Sequence, residues 1–176
     1  MNRIALLLVL ACTGWPGVAQ KVRVDYDRRL ASFHYRTYQW IALPEAQPFS
    51  GQFPNQLMQE RIVRFIEDAM AAKGLRRVET GGDVLISYQM NVTEQQQFTT
   101  VGSGWGWGWG SEFSTTTSET IFKGTLVIDI TDPRRKQLIF QGASIATISS
   151  RPQKNTKKLR KAINEIFEKY PPKPSS

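Results

Sequence analysis

Apolar and polar residues alternate along several stretches of the chain, a pattern that predicts strands with one buried face. The alternation is longest over residues 84–93 and recurs over residues 122–130. Shorter strand-like runs occupy residues 22–24 and 35–41, and residues 138–148 form a further extended segment. These segments together predict a sheet.

Two other segments repeat apolar residues every three or four positions, which places those residues on one side of a helix. The first covers residues 56–73 and is followed by Gly74, a residue type that commonly ends helices. The second covers residues 154–170 and stops at Pro171 and Pro172. Because each apolar stripe is one-sided, we expect each helix to lie on a flat surface.

Asp132 and Pro133 form a strong turn signal, since Asp and Pro favour the first and second positions of a tight turn. The turn makes a hairpin of the strands on either side. Consecutive strands joined by turns, with two helices, predict an α+β fold: a mainly antiparallel sheet with two amphipathic helices packed on one face. The predicted single domain covers residues 20–172, and residues 173–176 form a C-terminal tail.

The first residues have the order of a secretory signal peptide: a positive start, a short apolar run, and small residues before a cut. The apolar run is far shorter than the roughly 20 residues that cross a bilayer. We favour residues 1–19 as the signal peptide, with cleavage between Ala19 and Gln20, which predicts a periplasmic protein. The alternative is a lipobox in which Cys12, the single cysteine, is lipidated, which would place the protein at the outer membrane.

The chain is basic, with 23 Lys and Arg against 15 Asp and Glu and a net charge of +8. Such a charge favours contact with anionic lipid, lipopolysaccharide or other polyanions. Export argues against nucleic acid as the partner. Five basic residues cluster at the start of the last helix, where they form either a contact for anionic lipid or a solvated face: Lys154, Lys157, Lys158, Arg160 and Lys161.

One low-complexity stretch alternates Trp with Gly over residues 102–110. If it is extended, Trp105, Trp107 and Trp109 project to one side at intervals of about 6.6 Å. Each Trp can bury up to about 250 Å², so three of them would match the largest apolar patch that a typical monomer exposes. We therefore take the three indoles as the candidate ligand-binding residues, for a lipid, glycan or protein of the envelope. The alternative is a disordered glycine-rich hairpin tip that tolerates insertion.

Catalytic chemistry is sparse in this sequence. His34 is the single histidine, so a histidine metal cluster cannot be assembled, and the favoured cleavage after Ala19 removes Cys12, so neither can a Cys-His pair. No G-x-S-x-G motif is present. Asp129 and Asp132 are close in sequence, but we expect Asp129 to point off a strand and Asp132 to start the turn. We predict no catalytic residues, no metal and no cofactor, and a protein that is not an enzyme.

Several motifs of the chain resemble the bacterial domain-of-unknown-function family 4136, whose members are small exported proteins and often lipoproteins. The matching stretches are residues 25–27, Phe33, and residues 35–40, 82–86, 124–130, 136–142 and 167–172. The family commonly has Trp-Arg where this chain has Phe140 and Gln141. The resemblance implies a fold and a compartment, and it implies no active site.

The leading functional hypothesis is an exported, non-catalytic binding module that contacts an envelope component through the Trp-Gly loop. An alternative is a structural or assembly factor that binds a protein partner through its sheet edge or a helix face. A small hydrolase that uses Asp129 or His34 is the third alternative.

Overall fold

A computed structural model describes residues 21–27, 35–41, 56–102 and 114–171 of the chain. The described residues form six strands and two helices, in agreement with the predicted α+β class. In chain order the elements are β1 (Lys21–Tyr26), β2 (Thr37–Trp40), α1 (Gln56–Ala72), β3 (Arg76–Arg77), β4 (Val84–Gly102), β5 (Ser114–Asp132), β6 (Gln137–Ile148) and α2 (Pro152–Glu168).

The strands form one mixed sheet in the order β1-β6-β5-β4-β2-β3. The pairs β1·β6, β5·β6 and β4·β5 are antiparallel, whereas β2 runs parallel to both β3 and β4. The prediction of a mainly antiparallel sheet is therefore wrong, because the sheet is mixed. The physical reason is the position of α1 between β2 and β4, because a helical crossover returns the chain in the same direction and sets the two strands parallel.

Alternate residues of the long strands are buried, as the sequence pattern predicts. In β4 these include Val84 and Ile86, and in β5 they include Leu126, Ile128 and Ile130. The apolar stripes of both helices join the same core cluster, through Met58, Ile62, Phe65, Ile66, Ala69 and Met70 of α1 and Ile163, Ile166 and Phe167 of α2. Neither described helix is long and apolar enough to cross a membrane.

Gly74 ends α1 as predicted. Its φ of 81° lies in the left-handed region that favours glycine. The N–H of Gly74 donates to the carbonyl of Ala71 at 2.9 Å, and the N–H of Leu75 donates to the carbonyl of Met70 at 3.1 Å. These bonds occupy carbonyls that the end of the helix would otherwise leave unpaired, and they turn the chain so that Leu75 is buried.

Gly142 lets α2 approach the sheet closely. A Cβ atom at this position would overlap the side chain of Ile166, which lies directly over the glycine. A missing side chain in a strand often marks such an approach. Ile166 is fully buried in consequence and holds α2 against β6.

The strands β4 and β5 are much longer than the alternation predicts. They stay paired as far as Gly102 and Ser114, whereas β6 ends at Ile148, opposite Phe122. We call the outer part of this hairpin, residues 95–102 paired with residues 114–121, the arm. Its length is about 25 Å at the usual rise per strand residue. The arm is the part of the described sheet that consists of two strands alone.

Candidate functional site

Where the side chains of the arm are described, all except that of Ile121 are exposed, on both faces. Residues 95–100 and 116–120 are all exposed, and Phe98 is 66% exposed. The hydroxyls of Thr100 and Thr116, which are cross-strand partners, lie 3.2 Å apart. An isolated two-stranded hairpin is at best marginally stable in water, so the arm depends on its continuity with the sheet.

Among the described residues, the outer edge of β4 is unpaired over most of its length. β2 pairs with β4 as far as Ile86, and beyond that residue no described strand lies on this edge. Residues 87–102 contain neither Lys, Arg nor Pro, and Glu94 is their single charged residue. Proteins commonly protect exposed edges with Lys, Pro or bulges. An open edge without these residues is suited to pairing with a strand of another chain.

The predicted binding residues Trp105, Trp107 and Trp109 lie outside the described residues. They belong to the chain between Gly102 and Ser114, the last described pair of the arm. The pair Gly102 and Ser114, which flanks this segment in the sequence, lies at the end of the arm remote from the core. The predicted row of indoles stays a prediction.

Three other predicted positions also lie outside the described residues: the cleavage site at Ala19 and Gln20, the lipidation alternative Cys12, and His34. The signal peptide, the processing route and the role of the histidine stay predictions.

At the opposite end of the sheet, Asp83 connects three segments. Its carboxylate accepts from the backbone N–H groups of Arg36 and Thr37 at 3.0 Å each and from the Thr37 hydroxyl at 2.9 Å. The Arg134 guanidinium donates to the other carboxylate oxygen at 2.8 Å. The Arg36 N–H and the Thr37 hydroxyl, followed by the other donors, hold the pKa of Asp83 below its usual value. The ionised carboxylate ties the start of β2 to the turn after β5.

Asp132 organises the turn that the sequence predicts. One carboxylate oxygen accepts from the N–H groups of Arg134 and Arg135, and the other accepts from the Tyr35 hydroxyl at 3.1 Å. Burial acts to raise the pKa of Asp132, but these donors and the Arg135 guanidinium outweigh it, so the pKa lies below its usual value. Burial and the bond to Asp132 raise the pKa of Tyr35.

These two carboxylates have the properties of structural residues. Both are ionised and surrounded by donors that fix the chain, so neither is positioned as a general acid. Asp129 lies on β5 and accepts from the Gln141 side chain at 2.8 Å, whereas Asp132 begins the turn, as predicted. Within the described ranges, no three His, Cys, Asp or Glu side chains are grouped in a way that would hold a metal ion.

The structural role of Asp83 was not predicted, although its motif carries a signal. Gly82 precedes it, and a Cβ at Gly82 would lie 2.7 Å from the backbone nitrogen of Gln39. The glycine is needed because the backbone of β2 passes so close. A Gly-Asp pair at the start of a strand thus indicates two things. The backbone of a neighbouring segment passes close to the glycine, and the aspartate side chain accepts hydrogen bonds from that segment.

Tyr38 and Trp40 belong to the core side of β2. Tyr38 is buried, and Trp40 packs against the core with its Nε1 donating to Glu67 at 3.1 Å. The Trp40 ring contacts the rings of Tyr38 and Tyr88 edge-on, at centroid distances of 6.5 and 6.2 Å. Burial, followed by the Glu67 carboxylate, raises the pKa of Tyr38 to about 12.

The basic cluster of α2 is divided between packing and solvent. The Arg160 guanidinium lies 4.2 Å from the ring centre of Phe65, a cation–π contact that joins the two helices. The Lys158 ammonium donates to the carbonyl of Thr147 at 2.8 Å. Lys154 and Lys157 are exposed. The exposed lysines are available to an anionic partner.

The fold and the arm define a small α+β domain with a mixed sheet and an extended hairpin. The family model described as "Domain of unknown function (DUF4136)" matches residues 22–172. The chain therefore belongs to this family, as its motifs predict. No curated protein matches the sequence of the chain.

Three solved structures resemble this chain at low sequence identity. A PDZ domain protein from Parabacteroides distasonis is 12% identical, with a TM-score of 0.54 over 88% of this chain. The match covers 36% of that protein, so this chain corresponds to about a third of its length. Two crystal forms of the PelC dodecamer from Paraburkholderia phytofirmans are 11% and 10% identical, each with a TM-score of 0.44 over 85% of this chain and 95% of PelC. At such identities the likeness concerns the fold alone.

Proposed function

We propose that this chain is an exported, non-catalytic binding module that contacts a component of the cell envelope through the end of the arm. The observation that carries the proposal is the arm itself. Two paired strands continue past the core as far as Gly102 and Ser114, and the side chains of residues 95–100 and 116–120 are exposed. In the sequence, the Trp-rich segment joins these two strands. Exposed aromatic residues on such an extension are typical of a binding surface.

We further propose that both helices cover the same face of the sheet. Ile166 of α2 lies over Gly142 of β6, and the stripes of both helices share one cluster with Ile86 and Ile128. The side chains that alternate with these core residues, such as Leu85 and Val127, are only partly buried. The arm would then extend from a sheet that is covered on one side.

The indole proposal is tested by replacing Trp105, Trp107 and Trp109 together with Ala. Binding of the purified variant to isolated envelopes should fall by about tenfold or more, as expected when aromatic anchors are truncated. A matched control carries Thr99→Ala, Thr117→Ala and Thr120→Ala, which change the arm but leave the indoles. Equal binding by the wild type and the Trp variant would contradict the proposal.

The proposed location is tested by the intact mass of the protein in membrane and soluble fractions. A chain that begins at Gln20 in the soluble fraction is the result expected for a periplasmic protein. A diacylglyceryl group on Cys12 would instead place the protein at a membrane. An unprocessed N-terminus in the cytoplasm would contradict export.

The open edge of β4 favours a second candidate function, an assembly factor that receives a strand from a protein partner. A photoreactive residue at Gln97 should then crosslink to one defined protein, whether or not the indoles are present. The same residue at Asn164, an exposed position of α2, serves as the control. Crosslinks that disappear with the tryptophans would favour the indole contact over strand addition.

A further inference from the structure

The backbone of β4 directs alternate residues towards its outer edge. The N–H of Ile41 donates to the carbonyl of Ile86 at 2.9 Å, so the main-chain groups of Ile86 face the β2 side. Main-chain groups alternate in direction along a strand, so the even-numbered residues from Tyr88 to Gly102 face the same edge and the odd-numbered residues face β5. The register with β5 is unbroken over this length, so the alternation reaches the end of the arm.

Within the arm, this edge lacks the residues that usually keep a second strand away. Residues 95–102 contain neither a charged residue nor proline, and among the described residues no strand pairs with the β4 edge beyond Ile86. A two-stranded ribbon alone is at best marginally stable in water. A further strand along this edge would pair the outward N–H and C=O groups and stabilise the arm.

Phe98 is a large apolar residue at the middle of this open edge. Its side chain is 66% exposed, and its cross-strand partner in the arm is the small residue Ser118. Its main-chain groups belong to the even-numbered set that faces outward. A strand added to the edge would therefore place one of its side chains directly opposite Phe98 on the same face of the sheet, where an aromatic residue gives a favourable pair.

The charge of the chain favours the arm as the place where two copies meet. The protein carries a net charge of +8, which opposes self-association in general. The two strands of the arm contain neither Lys nor Arg, and Glu119 is their single charged residue. Two copies can therefore bring their arms together with little electrostatic repulsion.

We propose that two copies of this chain pair through the β4 edges of their arms, antiparallel and centred on Phe98. In this register Phe98 lies opposite Phe98 of the second copy, Gln96 lies opposite Thr100, and Glu94 lies opposite Gly102. All of these residues are even-numbered, so their main-chain groups face one another and exchange about ten hydrogen bonds. The pairing is isologous and closes a two-fold dimer, with the two aromatic rings at its axis.

The same register avoids a charge conflict and a steric conflict. Direct pairing of Glu94 with Glu94 would oppose like charges, whereas here the two carboxylates are about 26 Å apart along the sheet. Residues 87–93 remain beyond the paired segment, so β2, which pairs with β4 as far as Ile86, does not block the second copy. A strand of an unrelated protein would satisfy the backbone groups, but a second copy also supplies the matching aromatic residue.

Sedimentation velocity of the full-length chain, in the form that cells process, tests the pairing. We expect a dissociation constant on the order of 10 μM, because one strand edge is smaller than a standard protein interface. A protein that stays monomeric at about 300 μM, well above this constant, overturns the proposal.

Thr100→Pro removes an outward N–H but leaves the backbone bonds to β5, since Thr100 faces the open edge. The dimer should weaken by about tenfold or more when this bond is lost from each copy. Thr100→Val is the matched control, because it also loses the hydroxyl contact with Thr116 but retains the N–H, and it should dimerise as the wild type does. Circular dichroism checks that both variants fold. Equal dimerisation of the two variants overturns the proposal.

Cysteine pairing tests the register without relying on the proline variant. In the proposed dimer Gln97 of one copy lies directly opposite Thr99 of the other, within reach of a disulfide. Thr117 is the partner of Thr99 in the same arm and would lie one strand further away, about 10 Å from Gln97. In a Cys12→Ser background, mixed Gln97→Cys and Thr99→Cys chains should form at least about tenfold more disulfide than mixed Gln97→Cys and Thr117→Cys chains. Equal yields from the two mixtures overturn the proposal.

This proposal rests on the second candidate function, strand addition at the β4 edge, and names its partner. Replacement of Trp105, Trp107 and Trp109 by Ala should leave the dimer unchanged, so self-pairing and the indole contact can fail separately. A dimer that disappears with the tryptophans overturns the proposal. Crosslinks from Gln97 to a different protein, with a chain that stays monomeric, would support the second candidate function and overturn the pairing of two copies.

Discussion

Single carboxylates hold together the end of the sheet opposite the arm. Asp83 accepts hydrogen bonds from backbone and side-chain donors of β2 and from Arg134, and Asp132 accepts from two backbone N–H groups of its own turn and from Tyr35. Hydrogen bonds to an ionised group are stronger than neutral ones. These two residues therefore stabilise segments that are far apart in sequence.

Asp83→Ala removes the acceptor for all of these donors at once. We expect the free energy of unfolding to fall by about 2–3 kcal/mol, because the backbone N–H groups of Arg36 and Thr37, the Thr37 hydroxyl and the Arg134 guanidinium lose a charged partner. Urea unfolding followed by circular dichroism measures the change. Glu79→Ala is the control, since the Glu79 side chain is 87% exposed and lies 3.6 Å from Arg77. Its effect should be within about 0.5 kcal/mol, and an equally small effect of Asp83→Ala would contradict the structural role.

The lowered pKa values of Asp83 and Asp132 predict a loss of stability in acid. Below the unfolded value of 3.8, the unfolded chain takes up protons that the folded carboxylates do not. The stability they contribute is present above that pH and is lost as the pH falls through the lower folded values. The variant Asp83→Asn with Asp132→Asn should be less stable at neutral pH and less sensitive to acid. Identical slopes of unfolding free energy against pH would contradict this prediction.

Some of these residues were predictable and others were not. Asp132 was identified because Asp before Pro is a local turn signal, and its bonds to backbone N–H groups lie within the turn. The partners of Asp83 are 46 and 51 residues away, so no local pattern reveals them. Local sequence patterns also do not reveal why Gly82 and Gly142 must be glycine, because the residues that approach them belong to other elements.

At the scale of elements, one close contact fixes α2 on the sheet. We expect Gly142→Ala to cost about 1–3 kcal/mol, because its new Cβ would overlap Ile166. Ile166→Ala alone should cost about 2–4 kcal/mol through the cavity that it leaves. The double variant should be more stable than the sum of the two losses implies, since the added methyl enters the vacated space. Additive losses in chemical denaturation would contradict direct contact.

Gly124→Ala provides a comparison for the Gly142 and Ile166 variants. Its Cβ would lie 3.3 Å from the end of the Ile148 side chain, which can move by rotation. We therefore expect a cost below about 1 kcal/mol. A loss as large as that of Gly142→Ala would show that the packing around Gly124 is more rigid than the contact indicates.

The elements with buried faces were predicted well, and the arm was not. Apolar and polar residues alternate in β4 and β5 where one face of the strand is buried. The alternation disappears where both faces are exposed. In the arm, Thr, Ser and Gln replace the apolar positions, and β-branched Thr favours strands without marking a face. The parallel pairing of β2 and β4 was also missed, because it depends on the path of the chain through α1 and not on the pattern of either strand.

At the scale of the whole molecule, we propose that stability and binding belong to different parts of the chain. The buried side chains lie in the helices and in the inner halves of the strands, and the exposed residues of the arm contribute little to the core. The sequence predicted the candidate binding residues from the Trp-Gly repeat. No pattern in the sequence predicted that β4 and β5, the strands on either side of these residues in the sequence, extend beyond the rest of the sheet.

The most direct test of this separation replaces residues 95–121 with Asn-Gly. Glu94 and Phe122 are cross-strand partners, so a two-residue turn can join them without changing the register of the inner strands. We predict that the shortened protein unfolds within about 1 kcal/mol of the wild type and that its binding to isolated envelopes falls by about tenfold or more. A shortened protein that fails to fold, or that binds envelopes as the wild type does, would contradict the account.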